Sequence, residues 1–505
     1  MDNVSPVSSL LTEAVEDPRR AADAGSDRRV GRSEDRSEGR SEDHPESRSE
    51  GRSGDRPESR SEGRRTGVTV LRWTTPPGLE EVSVAEARAL LATSSATAHG
   101  EHRFEEKPLG LAGHCALATT APAEAAEEVC RGMRSAYHLI RHRGHFTLGK
   151  PHEEVIATEI AAGTRGVSLP ELEGGEHTFR VSCTRTGTHS FKSPDIEREV
   201  GSIVVERWNP PVDLEHYDVN LRIDIVEAVV LIGVQLTGEG MDKRYPWVYR
   251  PRVTLRTTIA YGMIALGRRA LGEPPDTAAL SAPAPGGNGG TGTGAAAPPP
   301  GGDRGDGGTG TDADADAPGG RGTEAAPAAG AGETAAATAG DAEAPGSTLR
   351  TLLDPFCGSG TIPIEAANLL PGARVLAADR DEEAVAGTRS NADATGVAVR
   401  IDLKTIDARD LDEHYETESV DAIVTNPPFG IRLHREADFY RLYRRFLTTA
   451  GLILRPRGVI VILVGKKRGL FNRVLREVGL YDLVEVRIIE IGGVYPGLFV
   501  LRKRE

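Results

Sequence analysis

The stretch Leu352-Leu353-Asp354-Pro355-Phe356-Cys357-Gly358-Ser359-Gly360-Thr361 constrains this chain more than any other. A short apolar run ends in an acid, a glycine-bearing turn follows, and an apolar, helix-like segment runs from Ile362 to Leu370. Strand, glycine turn and helix start form the first unit of a dinucleotide-type α/β sheet. Gly358 and Gly360 carry no Cβ, so a ligand can approach the backbone closely there. From Leu349 onward strand-like and helix-like stretches alternate, at 349–354, 362–370, 374–379, 382–391, 397–404, 421–425, 437–454, 458–465, 469–478, 483–490 and 495–502. The alternation predicts a doubly wound α/β domain over 349–505, with a ligand crevice at the carboxyl ends of its strands.

Further loops at that edge carry candidate chemistry. Val375-Leu376-Ala377-Ala378-Asp379-Arg380-Asp381 ends a strand in an acid about 20 residues after the glycines, where a carboxylate can accept from both hydroxyls of a ribose. Asp379 is the first candidate and Asp381 the second. Thr405-Ile406-Asp407-Ala408-Arg409-Asp410-Leu411 supplies another acid, and Val424-Thr425-Asn426-Pro427-Pro428-Phe429-Gly430 closes a strand-like run. The glycine turn lacks a clean G-x-G-x-x-G, which counts against an ordinary nucleotide Rossmann site.

With 505 residues the chain has room for two or three domains. Residues 1–66 repeat units such as Arg32-Ser33-Glu34-Asp35 and Arg36-Ser37-Glu38-Gly39. Mixed charge with almost no apolar surface cannot offset ordering entropy, so a disordered tail is expected. Residues 273–348 are Gly/Ala/Pro/Asp-rich, the composition of a flexible insert. These tracts carry −3 and −9 of the formal charge of −14, leaving about −2 for everything else. The acidity therefore says little against a polyanionic partner. Cys115, Cys130, Cys183 and Cys357 form no CxxC pair, which fits a reducing cytosol. No run approaches the roughly 18 apolar residues of a membrane span, and the N-terminus lacks a signal-peptide core. A soluble cytoplasmic protein is expected. His138, His142 and His145 have no acid or cysteine at ligand spacing, so no metal is expected.

Residues 67–240 read as a second α/β region. Strand-like runs at 68–73 and 113–119 alternate with helix-like runs at 78–91 and 123–133, and 135–146 is strand-like and basic. Strands at 177–183, 218–225 and 228–235 surround a helix at 195–208. A strand ending at Arg185, then Gly187-Thr188-His189-Ser190-Phe191-Lys192-Ser193, then a helix containing Val200-Gly201, resembles a THUMP domain over roughly 120–240. That module binds RNA in tRNA-modifying enzymes. Residues 241–252 are basic with interleaved aromatics, and no acid appears from Lys243 to Gly272. Such a strip suits phosphate contacts and base stacking. It also fits a linker that, with a helix over 254–271, leads into the following domain. Arg180, Arg185, Lys192, Lys243, Arg244, Arg250 and Arg252 are the candidate RNA contacts.

The DPFCGSGT and NPPF segments together resemble motifs I and IV of class I S-adenosylmethionine (SAM) methyltransferases acting on exocyclic or amide nitrogen. The resemblance implies SAM as cofactor. Asp354 would meet its cationic amino group, directly or through water, with Phe356, Gly358, Ser359, Gly360 and Thr361 around the methionine part. Asp379 or Asp381 would hold the ribose, and Asp407 with Ala408 the adenine. Asn426 and the Pro427 carbonyl would accept the two hydrogens of the target amine, while Phe429 stacks on an extruded base. The prolines would fix that carbonyl for in-line transfer. Arg432 would meet a substrate phosphate. NPPF/Y is shared by adenine-N6 DNA, guanine-N2 RNA and glutamine-N5 protein methyltransferases, and the THUMP-like half selects RNA. The combination resembles THUMP-containing guanosine-N2 methyltransferases of the tRNA acceptor-stem region. A 23S ribosomal RNA guanine-N2 enzyme and a protein glutamine-N5 enzyme are the alternatives. Family members usually pass into motif I by a short connection, so the 273–348 tract is a departure. The expected partner is RNA, tRNA first, with no membrane, no metal and a monomeric chain.

Overall fold

The computed structural model describes residues 9–12, 68–149, 157–238, 240–273, 349–428, 439–465 and 467–505. Two seven-stranded sheets organise them.

The N-terminal sheet is built from β1 (Thr69–Thr74), α1 (Glu80–Thr93), β2 (His102–Glu106), β3 (His114–Thr119), α2 (Ala123–Arg131), β4 (His138–Thr147), α3 (Ala157–Thr164), β5 (Phe179–Thr186), α4 (Ser193–Trp208), β6 (Val219–Val226) and β7 (Val229–Gln235). Its order is β2-β3-β1-β4-β7-β6-β5, antiparallel except for β5 beside β6. Strand β4 pairs with β1 at its start and with β7 along its length, so one sheet runs unbroken through 68–235. One face buries Leu71, Trp73, Leu117 and Leu139 beside residues of α1 and α2. Further along, Leu221, Ile223 and Ile232 pack with Ile160, Ile196 and Val200.

The opposite face is polar. Arg72 donates to Asp224 at 2.5 Å and Arg222 donates to the other carboxylate oxygen at 2.8 Å, all three buried. Burial pushes the Asp224 pKa up, but the two guanidiniums outweigh it and hold the carboxyl well below its usual range. Beside this triad, Leu10 and Leu11 pack on Val70, Ala116 and Leu231, and Ser9 Oγ and the Leu10 amide both donate to Glu105. Within the tail expected to be disordered, residues 9–12 are thus docked. A Leu-Leu pair gives them apolar surface that the Arg/Ser/Glu repeats lack; the rest of 1–66 lies outside the described residues.

The second sheet comprises α5 (Thr257–Ala270), β8 (Thr351–Asp354), α6 (Thr361–Leu369), β9 (Arg374–Asp379), α7 (Glu382–Ala394), β10 (Ile401–Thr405), β11 (Val420–Thr425), α8 (Phe439–Ile453), β12 (Leu454–Val464), α9 (Arg468–Val478), β13 (Tyr481–Ile488) and β14 (Gly497–Lys503). The order is β10-β9-β8-β11-β12-β14-β13. The first five strands are parallel, and β14 runs antiparallel to both neighbours. Every residue of β11 is buried, as expected of a parallel strand covered on both faces. The doubly wound α/β architecture is the one expected. Strand β2 and helix α3 were not legible, because His102-Arg103-Phe104-Glu105-Glu106 is a mostly polar edge strand and α3 spans barely two turns.

Helix α5 belongs to the second core: Ile259, Met263, Ile264 and Leu266 pack with Leu352, Ile362 and Val461. After it, Glu273 accepts from the Leu349 amide at 2.6 Å and from Arg268 at 2.7 Å. The chain therefore leaves at Glu273 and re-enters at Leu349 at a single point; 274–348 lies outside the described residues. A buried carboxylate joins the two sheets. Glu365 on α6 accepts from Arg134 (3.0 Å) and Tyr245 (2.7 Å), with Arg244 at 3.4 Å. Among the described residues no helix is long and apolar enough to cross a membrane, and no three metal-ligating side chains converge.

Candidate active site

Sheet order reverses between β8 and β11, the switch point at which sheets of this kind form a ligand crevice at the carboxyl ends of their strands. Register brings the candidates to that edge. Asp354 lies opposite Ala377, two residues before Asp379; Asp379 lies opposite Thr405, two before Asp407; and Ile423 opposite Leu353 sets Thr425 beside the end of β8.

Asp354 is 1% exposed. Its Oδ1 accepts from Thr425 Oγ1 at 2.6 Å and from the Phe356 amide at 3.2 Å. Burial raises its pKa to about 7, more than these hydrogen bonds lower it. Among the described residues no arginine or lysine pairs with it, so a cation entering the crevice would find a carboxylate without a counter-ion. Sequence reasoning had not assigned Thr425 a role, although it directly precedes Asn426.

The turn after Asp354 is held from beneath. The Cys357 amide donates to Ala378 O (2.9 Å), the Gly358 amide to Asp379 Oδ2 (3.0 Å) and Thr388 Oγ1 to Gly358 O (2.8 Å). Gly358 has φ +54°, and a Cβ there would meet no atom within 4 Å: the turn faces open space. Gly360, at φ +85°, has no such room, since a Cβ would lie 2.8 Å from the Thr388 methyl. Ser359 and Thr361 are buried with their hydroxyls 3.3 Å apart, and the Phe356 ring meets Phe446 edge-on.

Asp379 accepts from the Gly358 amide on one oxygen and from the Asp381 amide on the other (3.1 Å), with the Arg380 amide as a third donor, which leaves it room to accept a further hydroxyl. Asp381 instead caps α7, accepting from the Glu383 amide at 3.0 Å. Asp407 accepts from the Arg409 amide, Nε and Nη2, and Arg409 holds its carboxyl below the usual range. The Ala408 side chain faces the core rather than the crevice.

Asn426 follows the last residue of β11. Its Oδ1 is buried and, among the described residues, has no hydrogen-bond partner, beside the buried Pro427. An orphaned acceptor at this edge costs free energy until a donor meets it. Phe429 and Arg432 lie outside the described residues. The residues present therefore fit SAM: a buried carboxylate for an ammonium, an open glycine turn, an acid for a ribose, and an unfilled acceptor for an incoming amine.

The basic candidates divide. Lys192, Lys243, Arg250 and Arg252 are exposed. Arg180 stacks on Tyr217 at 4.0 Å. Arg185 is tied to Phe191 O (2.5 Å) and Ser193 (3.1 Å), bracing the loop before α4. Arg244 is turned inward, donating to Arg134 O and flanking Glu365, so it serves the junction rather than an RNA surface. A polar cavity of about 240 Å³ on the open N-terminal face, lined by His114, Tyr137, His138, Arg222, Asp224 and Arg256, had no sequence signal because its residues come from separate strands.

Comparison with known proteins places these features. Residues 157–235 match the THUMP domain family and residues 345–495 the RMKL-like methyltransferase domain family. The tRNA (guanine(6)-N2)-methyltransferase of Thermus thermophilus is 30% identical over 434 residues, covering 86% of this chain and 99% of that protein. The protein of the same description from Archaeoglobus fulgidus is 24% identical over 73% of this chain and 82% of its own length. The crystal structure of TrmN from Thermus thermophilus superimposes with a TM-score of 0.56 at 27% identity, over 86% of this chain and 99% of that one.

Proposed function

The chain belongs to the family of THUMP-containing, SAM-dependent tRNA (guanine-N2)-methyltransferases, and from that premise we propose that it methylates the N2 amine of a guanosine in the acceptor-stem region of tRNA, position 6 first. The observation that carries the site assignment is the buried Asn426 Oδ1 at the crevice edge, without a partner among the described residues. The N2 amine of guanine is a poor nucleophile, because its lone pair is delocalised into the ring. Asn426 Oδ1 and the Pro427 carbonyl accept its two hydrogens and turn the lone pair out of the ring plane. Phe429 stacks on the flipped base. Asp354 faces the ammonium of the donor, the Phe356–Thr361 turn holds its methionine part, Asp379 its ribose and Asp407 its adenine. The donor supplies an electrophilic methyl on a sulfonium, so this chain's own work is to orient the amine, exclude water and keep the base in place.

Exposed Lys192, Lys243, Arg250 and Arg252, with Arg180 and Arg432, grip the RNA backbone. The enzyme acts as a cytoplasmic monomer without a metal. Labelled methyl transfer from SAM to separated tRNA, ribosomal RNA and protein, followed by nucleoside analysis, tests this reading. N2-methylguanosine in tRNA is the expected product. Label in ribosomal RNA would move the target, and label only in protein would overturn the assignment.

A further inference from the structure

We propose that the face of α7 carrying Gly387, Thr388 and Asn391 positions the donor turn according to where the strip 245–249 lies, so that tRNA held by the N-terminal half tightens donor binding. This rests on the reading of Phe356–Thr361 as the donor turn. Asn391 is fully buried, and its carboxamide spans two backbones. Nδ2 donates to Ser359 O and to Tyr249 O, both at 2.9 Å. Oδ1 accepts from the Val248 amide at 2.9 Å and the Tyr249 amide at 2.8 Å. Both donors and both acceptor sites of one side chain are thereby filled. Ser359 sits between the two turn glycines, so one rigid amide sets the distance from strip to turn.

The neighbouring residues on the helix remove the remaining slack. Thr388 holds Gly358 O and packs where a Gly360 Cβ would be. Gly387 lets the Tyr249 ring lie on the helix, since a Cβ there would come within 2.2 Å of Tyr249 Cδ1. At its other end the strip is fixed by Tyr245 and Arg244 to Glu365 of α6, the helix that begins at Thr361. The strip therefore reaches the donor turn through both helices that flank it. Arg250 and Arg252 follow directly and are exposed, so a phosphate bound there acts on the same backbone. Coupling of this kind is reciprocal: RNA tightens the donor as much as the donor tightens RNA.

Calorimetric titration of the full chain with S-adenosylhomocysteine, alone and with saturating unmodified tRNA transcript, tests it. For the native protein the transcript is expected to tighten binding at least about fivefold. Asn391→Ala should weaken binding and reduce the enhancement to less than about twofold, with KM for SAM raised and kcat at saturation little changed. Gly387→Ala is the second variant. It sits at an ordinary helical position where alanine favours the helix, yet it displaces Tyr249, and it should reduce the enhancement in the same way. Native protein that binds the ligand without any tRNA effect, or a folded Gly387→Ala protein that keeps the whole enhancement, overturns the coupling alone. Folded native protein that binds no S-adenosylhomocysteine overturns the donor-site reading and the coupling with it.

Discussion

The two sheets have the same number of strands and use polar residues in opposite ways. In the C-terminal sheet the central strands are mostly apolar, with a buried acid, Asp421 near the start of β11, held by Arg455 and the Arg350 and Thr351 amides. The candidate functional groups gather where strands end: Asp354, Asp379 and Asn426 each close one or follow its last residue. In the N-terminal sheet charge is buried mid-strand, with Arg72 and Arg222 both paired to Asp224 and Arg222 also donating to Gln235. Polar residues at a parallel strand's end face a crevice and point to chemistry. Polar residues within an antiparallel strand can be the packing of its open face. An arginine is therefore informative about function only once its strand position is known.

The largest effect should come from breaking the buried triad. Asp224→Ala leaves two desolvated guanidiniums without a counter-ion and is expected to cost about 3–5 kcal/mol of stability, read by urea denaturation. A loss below about 1 kcal/mol would mean that this face is solvated and the contrast between the sheets is false. Next, Asn426→Ala should lower turnover by about 100-fold or more while leaving S-adenosylhomocysteine affinity nearly intact. Ordinary turnover in that variant sinks the amine-orienting role.

A pH series sharpens the same point. Asp354 has its pKa raised to about 7, so its ionised form, the one that attracts an ammonium, is lost below that pH. Donor affinity should fall up to about tenfold per unit from pH 7 to pH 6, and Asp354→Asn should abolish the dependence. For the unliganded fold the sign reverses. A carboxyl whose folded pKa exceeds its unfolded value binds more protons when folded, so its contribution to stability declines as pH rises from about 4 to about 7. The smallest effect belongs to exposed arginines. Arg252→Ala should weaken tRNA binding a few-fold and reduce the salt slope by about one. Arg244→Ala should instead lower the melting temperature; if it changes only the salt slope, its inward placement is wrong.

The C-terminal fold was readable because parallel strands are apolar runs bounded by turn residues, and because Asp354, Gly358 and Gly360 lie within a few positions of each other. Asp381 is ambiguous in the sequence for a physical reason: a helix cap and a ribose acceptor both require an acid just after a strand. Arg244 misled because a basic strip is consistent with either a phosphate or a buried Glu365. Asn391 was invisible, since its partners Ser359 and Tyr249 are 32 and 142 residues away.

The meeting of Glu273 with Leu349 bears on how this chain could have acquired its length. Because departure and return coincide, whatever lies between closes a ring whose ends the fold already holds. Ring closure scales with the logarithm of length, so roughly 75 residues in place of a five-residue turn cost only about 2 kcal/mol. Selection would scarcely notice such a segment growing, shrinking or drifting in composition. The same position is a natural port for inserting a reporter domain, with the methyltransferase sheet still closing around it.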